Sequence, residues 1–492
     1  MFESAELGHT IDKSAYEREL PKLREALLRA QYELLDAVRF PVLILVNGVD
    51  GAGKGETVNL LKEWMDPRHI ATHALTEPTK DERRYPPMAH FWRELPPKGR
   101  IGIFFGSWYS QPILARAYGE TGNAALDQAM EQNVRFEKML TDEGALILKF
   151  WFHLSKKRQK QRLKTLEQDP KTRWRVTERD WQHFRLYDKF YKVSERALRQ
   201  TSTADAPWIV IEGADARYRG LTAGRIVLEA LRRRLDAKTP APRPPAAPLS
   251  PDLLDNRQLL RALDLTQSLA KDKYENQLEK WQGRLNLLTR HKRFRKLPVL
   301  VAFEGVDAAG KGGAIRRITG ALDARQYEVH AIAAPSDEEL AQPYLWRFWR
   351  RLPPHGRIAV FDRSWYGRVL VERVEGLCAE YDWMRAYSEI NDFEEQLVRH
   401  GAVLVKFWLQ ISAEEQLQRF KEREDIGYKR YKLTPEDWRN RDKWQAYEKA
   451  ACDMIDRTGT EIAPWTLIAA NDKRHARIEV LKTLCERLEQ AL

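Results

Sequence analysis

The stretch "EGVDAAGKGG", residues 304–313, holds the spacing G-x-x-x-x-G-K between an apolar run, "PVLVAF", and a segment that reads as a helix, "AIRRITGAL". Glycines at that spacing let backbone N–H groups turn inward on an anion. The start of a helix adds positive potential, and the lysine reaches the oxygens of a transferring phosphoryl group. Gly305, Ala309, Gly310, Lys311 and Gly312 are therefore the expected phosphate cradle. In the common form of this loop a Ser or Thr follows the lysine and ligates Mg2+; here that position is Gly312. A hard cation must then find carboxylate oxygens elsewhere. Asp307, inside the loop, and Asp362, closing the apolar run "IAVF", are the expected pair. Asp362 stands where a metal-holding aspartate belongs, at the carboxyl end of a neighbouring strand.

Arg363 follows directly, and a planar, permanently charged guanidinium suits the charge that develops on a phosphoryl group in flight. Arg368 and Arg373 are further donors for phosphate oxygens. The segment 418–444, "QRFKEREDIGYKRYKLTPEDWRNRDKW", interleaves Arg and Lys with aromatic residues and reads as a lid closing over phosphates, with Arg423 and Lys432 as its phosphate contacts. The same residue types would serve a solvated helix face or a nucleic-acid patch.

The elements that must position these groups occur twice. "PVLILVNGVDGAGKG" (41–55) aligns with "PVLVAFEGVDAAGKG" (298–312), so that Gly48 meets Gly305 at an offset of 257 (305 less 48). The offset persists through "FWRELPPKGRI" and "FWRRLPPHGRI", through "LKFWFHLS" and "VKFWLQIS", and on to Pro207/Trp208 and Pro464/Trp465. Such a run of ungapped matches is a duplicated domain. Between the copies, "LDAKTPAPRPPAAPLSPD" (235–252) is too rich in proline to continue a helix or an inner strand. The expected organisation is 1–234, a linker over 235–252, and 253–492.

Within each copy a helical pattern (Tyr274, Leu278, Trp281, Leu285, Leu288) precedes an unbroken apolar strand, glycines and another helix. Continuous apolar strands belong to parallel sheets covered on both faces. The expected fold class is α/β: a three-layer αβα P-loop kinase domain with a mostly parallel sheet and a helical lid, repeated in tandem.

The copies differ where chemistry should happen. Phe105 and Gly106 replace Asp362 and Arg363, Ala115 replaces Glu372, and Leu166 replaces Arg423. The basic run "RHKRFRK" (290–296) also lacks a basic counterpart, which places the charge of the expected site in the second copy. A phenylalanine cannot ligate a cation, so the first copy is expected to be catalytically degenerate. Its expected role is structural, although residues 41–56 retain the means to bind a phosphate compound.

The net charge of +12 and pI near 9.4 favour a polyanionic partner. Cys378, Cys452 and Cys485, odd in number and scattered, argue against a disulfide framework or a zinc site. The amino terminus shows no leader pattern and no apolar run approaches a membrane span, so the expected location is the cytoplasm, without a membrane partner.

The set "GVDAAGKGG", "RFWRRLPPHGRI", "FDRSWYGRVLVERV", "KFWLQIS" and "LTPEDWRNRDKW" resembles the second family of polyphosphate kinases, and the tandem copies resemble its two-domain class. The resemblance implies a P-loop kinase fold and dependence on Mg2+, with Mn2+ as the alternative ion. It implies reversible transfer of a terminal phosphoryl group from inorganic polyphosphate to AMP, giving ADP. By the same resemblance Asp307, Lys311, Asp362 and Arg363 handle metal and phosphate. A homo-oligomer without nucleic acid is the expected state. The rival on the same fold is an ATP-dependent nucleoside monophosphate kinase; a nucleic-acid-binding protein with idle loops is the rival from another class.

Overall fold

The computed structural model describes residues 1–75, 77–237, 258–427, 431 and 434–492. Lys432 and most of the expected linker lie outside the described residues. Two compact units emerge, one built mainly from the first copy with residues 335–346, the other mainly from the second copy with residues 80–87.

In the first unit the strands are β1 (Val42–Gly48), β2 (Ile70–Ala74), β3 (Ile101–Phe105), β4 (Leu146–His153) and β5 (Trp208–Glu212). In the second they are β6 (Val299–Gly305), β7 (Tyr327–Ala331), β8 (Ile358–Asp362), β9 (Val403–Gln410) and β10 (Trp465–Ala469). The sheet orders are β2-β3-β1-β4-β5 and, read in the same direction, β7-β8-β6-β9-β10, with every pairing parallel. The apolar runs read from the sequence are these central strands. β6 and β9 are buried nearly end to end, as strands covered on both faces must be.

One face of the second sheet is covered by the helices Lys271–Arg290, Lys311–Thr319 and Lys473–Ala491, whose Leu285, Ile318 and Leu484 meet Val301 and Val405 in one core. The helical pattern beginning at Tyr274 is the first of these, with Tyr274, Leu285 and Leu288 buried. In the first unit, Lys13–Ala37, Lys54–Trp64 and Ala216–Leu235 make the equivalent layer.

On the other face each unit buries an ion pair. Lys406 on β9 and Glu394 on the helix Glu380–Arg399 are fully enclosed, 2.8 Å apart. The Trp365 indole and the Tyr366 hydroxyl donate to Glu394 Oε1, and Lys406 also donates to the Thr458 carbonyl. Lys149 and Glu137 repeat the arrangement with Trp108, Tyr109 and Thr201. Every partner is used inside the network, so its role is to fix the helix on the sheet. Removing one member strands a buried charge; Lys406→Ala should lower stability by about 3–5 kcal/mol, read as a shift in the denaturant midpoint.

Parallel register places all chemistry at one edge. Phe303 pairs with Asp362 across β6 and β8, so Asp362 emerges beside the loop that opens at Gly305. The basic run 290–296, expected near the site, instead forms a short helical turn, Lys292–Lys296, leading into the amino end of β6, opposite the phosphate loop. Strand direction, which charge composition does not reveal, separates it from the site. Among the described residues no helix is long and apolar enough to cross a membrane, and all three cysteines are free, with burial pushing the Cys485 thiol up to about 12.

Candidate active site

The turn from β6 into the helix Lys311–Thr319 is shaped by backbone that side chains rarely tolerate. Gly305 has φ +142°, and a Cβ there would lie 2.4 Å from the Leu409 carbonyl oxygen. Gly310, at φ +106°, starts the helix. Lys311 folds back so that Nζ donates to the carbonyls of Gly305 (2.7 Å) and Val306 (3.3 Å), which braces the loop. Burial, the largest influence, pulls the Lys311 ammonium below its ordinary pKa against the opposing charge of Asp307.

A second brace comes from the helix Ala413–Asp425. The buried Arg419 donates to the carbonyls of Ala308 (2.9 Å), Ala309 (3.2 Å), Ala470 (2.8 Å) and Asn471 (2.7 Å), and Gln416 donates to the Asp307 carbonyl (3.0 Å). Arg419 is thus scaffold for the loop rather than a lid contact.

Asp307 and Arg363, both expected at the site, form an ion pair, with Arg363 Nη2 2.9 Å from Asp307 Oδ1. Asn440, from the helix Pro435–Asp442, donates to Asp307 Oδ2 at 2.8 Å, so the lid segment touches the loop through this amide. Burial works to lower the Arg363 pKa, but Asp307, Glu304, Glu436 and Asp362 outweigh it and hold the guanidinium charged. Arg363 sits at φ +61°, where its counterpart Gly106 has φ +81°. The left-handed conformation costs a non-glycine residue roughly 1–2 kcal/mol. The second copy carries that strain at the residue expected to meet the transferring group, as active sites do.

The Asp362 carboxylate has no hydrogen bond or ion pair among the described residues, and its Oδ2 lies 4.0 Å from where a Cβ on Gly312 would stand. The missing loop hydroxyl and the unpartnered carboxylate therefore share one space, a donor set that fits a hard cation. The Asp307 oxygens are already engaged by Arg363 and Asn440, and each keeps a lone pair that could serve such a cation. Among the described residues no group of three or more His, Cys, Asp or Glu side chains is placed to hold a metal ion. One or two carboxylates completed by phosphate and water oxygens is how Mg2+ is commonly held.

Two concavities flank the loop. One is lined by Glu304, Asp307, Arg363, Asn440, Trp444 and Tyr447 among others. Glu304 is a site residue that spacing alone did not mark: buried, it accepts from Ser364 Oγ at 2.7 Å, and burial raises its pKa. Its counterpart is Asn47, which bonds Ser107. The other concavity is a groove carrying Arg316, Arg419, Arg423, Lys473 and Arg477 beside Ala309 and Gly310. Among the described residues, the side chains of Arg316, Arg423 and Arg477 are bonded to no acceptor and paired with no acid. In the first copy the positions of Arg316, Arg423, Lys473 and Arg477 hold Asn59, Leu166, Ala216 and Gly220, so the basic track belongs to the second copy.

Arg368 and Arg373 line neither concavity. Arg368 lies 3.3 Å from Glu372. Arg373 pairs with Asp453 at 2.8 Å, donates to the Tyr387 hydroxyl and stacks on Trp383. In the first copy Lys54 rests on the carbonyls of Gly48 (2.7 Å) and Val49 (2.9 Å), while Asp50 is bound by Lys54 (3.4 Å) and His183 (2.6 Å).

The family model described as polyphosphate kinase 2 matches residues 10–239 and 268–492, one match for each copy. The chain belongs to the polyphosphate kinase 2 family. Among relatives of this polyphosphate kinase 2 chain, the polyphosphate:AMP phosphotransferase of Pseudomonas aeruginosa is 60% identical over 492 residues, covering 100% of this chain and 99% of the relative. The polyphosphate:AMP phosphotransferase of Acinetobacter johnsonii is 40% identical, covering 94% and 95%. A solved polyphosphate kinase 2 structure from Pseudomonas aeruginosa superposes with a TM-score of 0.90 at 57% identity, covering 100% of this chain and 99% of that one. The tandem α/β architecture is thus shared from end to end.

Proposed function

We propose that the chain moves the terminal phosphoryl group of inorganic polyphosphate to AMP, reversibly, giving ADP, with the chemistry in the second copy. The observation that carries this reading is the basic groove running up to the loop, in which three arginines lack any acidic partner among the described residues. A polyanionic chain supplies the missing charge. The names of relatives that match over almost the whole chain support the same donor and acceptor.

An AMP phosphate oxygen is already anionic near neutral pH, so the reaction asks for alignment and charge neutralisation rather than a general base. Lys311, loosened from the Gly305 carbonyl, meets the oxygens of the phosphoryl group being moved. Arg363 stands where charge accumulates in the transition state, its guanidinium aimed by Asp307 and its backbone fixed by the N–H that donates to the Phe303 carbonyl (3.1 Å). Asp362 and Asp307 would hold Mg2+, or Mn2+, which supplies charge neutralisation to the phosphate oxygens. Arg316, Arg423 and Arg477 track the chain. Trp444 and Tyr447, walls of the other concavity, would exclude water around the acceptor.

Purified protein supplied with AMP and polyphosphate, and no ATP, should form ADP. ADP formed only when ATP is present would favour the nucleoside monophosphate kinase instead. Because the donor is held by exposed charge, its KM should rise steeply with salt while that of AMP changes less. Arg423→Ala should raise the KM for polyphosphate several-fold and flatten that salt dependence.

A further inference from the structure

The first copy keeps a cavity where the second has its active site. It opens at the carboxyl ends of β1, β3 and β4, between the loop Gly48–Lys54 and the residues Phe105, Tyr118, Trp151, Tyr187 and Phe190. The wall has been rebuilt rather than filled. Phe105 stands for Asp362, Tyr118 for Glu375, Leu186 for Lys443 and Phe190 for Tyr447, so four wall positions are less polar in the first copy, three of them aromatic.

Three buried polar atoms in this wall have no partner among the described residues: the indole N–H of Trp151, a residue 2% exposed, Oε1 of Gln159, 3% exposed, and Nε2 of His183, whose Nδ1 is taken by Asp50. Their counterparts are satisfied. Trp408 donates to Gln410 Oε1 at 2.8 Å, and Arg441 donates to Gln416 Oε1 at 3.2 Å. A buried donor or acceptor left unpaired destabilises a fold, so an orphan of each kind in one cavity wall points to a ligand with polar edges on an otherwise apolar body.

We propose that the first copy binds a nucleoside monophosphate without converting it, with the phosphate on the loop and the base and ribose among the aromatic rings. The loop retains its means of holding a phosphate. Gly51 and Gly53 keep their positive φ (79° and 83°), the helix Lys54–Trp64 starts there, and Lys54 rests on two loop carbonyls just as Lys311 does. A polyphosphate chain fits worse, because Asn59, Leu166, Ala216 and Gly220 abolish the basic track and Phe105 removes the carboxylate that could seat a cation. Planar rings and paired donor and acceptor groups match a nucleobase. The phosphate loop, with Lys54, gives the site a contact for an anion.

Equilibrium dialysis of the full chain with AMP, without polyphosphate, tests this. Leu114→Trp, which adds bulk to the cavity wall, should lower the AMP bound per chain by one equivalent, and Trp151→Phe, which removes only the indole N–H from a retained ring, should weaken one class of site about fivefold. Should Leu114→Trp fail to fold, Trp151→Phe decides alone. Binding unaltered by these substitutions, or no AMP bound at all, would overturn the inference. A failure of the proposed reaction would show separately, as absence of ADP when polyphosphate is added to the unaltered chain.

Discussion

Arg363→Gly should lower kcat about a thousandfold, at saturating AMP and polyphosphate, while changing stability by no more than about 1 kcal/mol. An arginine that meets transition-state charge in phosphoryl transfer is worth roughly 10³–10⁵ in rate, and the guanidinium beside Asp307 is the group so placed. Two effects on stability oppose each other. Glycine relieves the cost of φ +61°, a conformation that its counterpart Gly106 adopts freely. The substitution also breaks a half-exposed ion pair, worth about 0–1 kcal/mol. Arg363→Lys keeps the charge but loses the planar fork and should fall between the two. A thermal melt together with turnover separates the effects, and turnover within tenfold of the unaltered chain would remove Arg363 from the chemistry.

Asp362→Asn should cost about 10²–10³ in kcat and raise the Mg2+ concentration needed for half-maximal rate. The amide keeps the shape of the side chain and withdraws the charge that a cation needs; metal neutralisation of phosphate oxygens is worth several kcal/mol, at 1.36 kcal/mol per tenfold. No folding penalty is expected, because the Asp362 carboxylate has no partner among the described residues to lose. Unchanged Mg2+ dependence would move the cation seat elsewhere.

What could be read in advance depended on whether the signal is local. Gly305, Gly310 and Lys311 are bound to one another by a fixed spacing, and the runs leading to Gly305 and Asp362 are short and almost wholly apolar, so loop, strands and parallel sheet followed from composition and order. The groove did not. Arg316, Arg423, Lys473 and Arg477 come from three helices far apart in the chain and converge only when the sheet is assembled. Comparing the two copies position by position along the last helix would have found Lys473 and Arg477, since Ala216 and Gly220 oppose them. Glu304 was hidden because a carboxylate inside an apolar strand looks like an interruption until Ser364 closes on it. Arg373 is the converse case. Its partners Asp453, Tyr387 and Trp383 lie on later helices, and no spacing rule connects them.

The two copies present the same strand register, Val46 beside Phe105 and Phe303 beside Asp362, with different chemistry at its end. Writing the first copy's pair into the second, Asp362→Phe with Arg363→Gly, asks whether that difference is the active site. The full-length double variant, given AMP and polyphosphate without ATP, should melt like the unaltered chain and form ADP at no more than about a thousandth of its rate. ADP formation within tenfold of the unaltered chain would place the chemistry outside the second copy's loop.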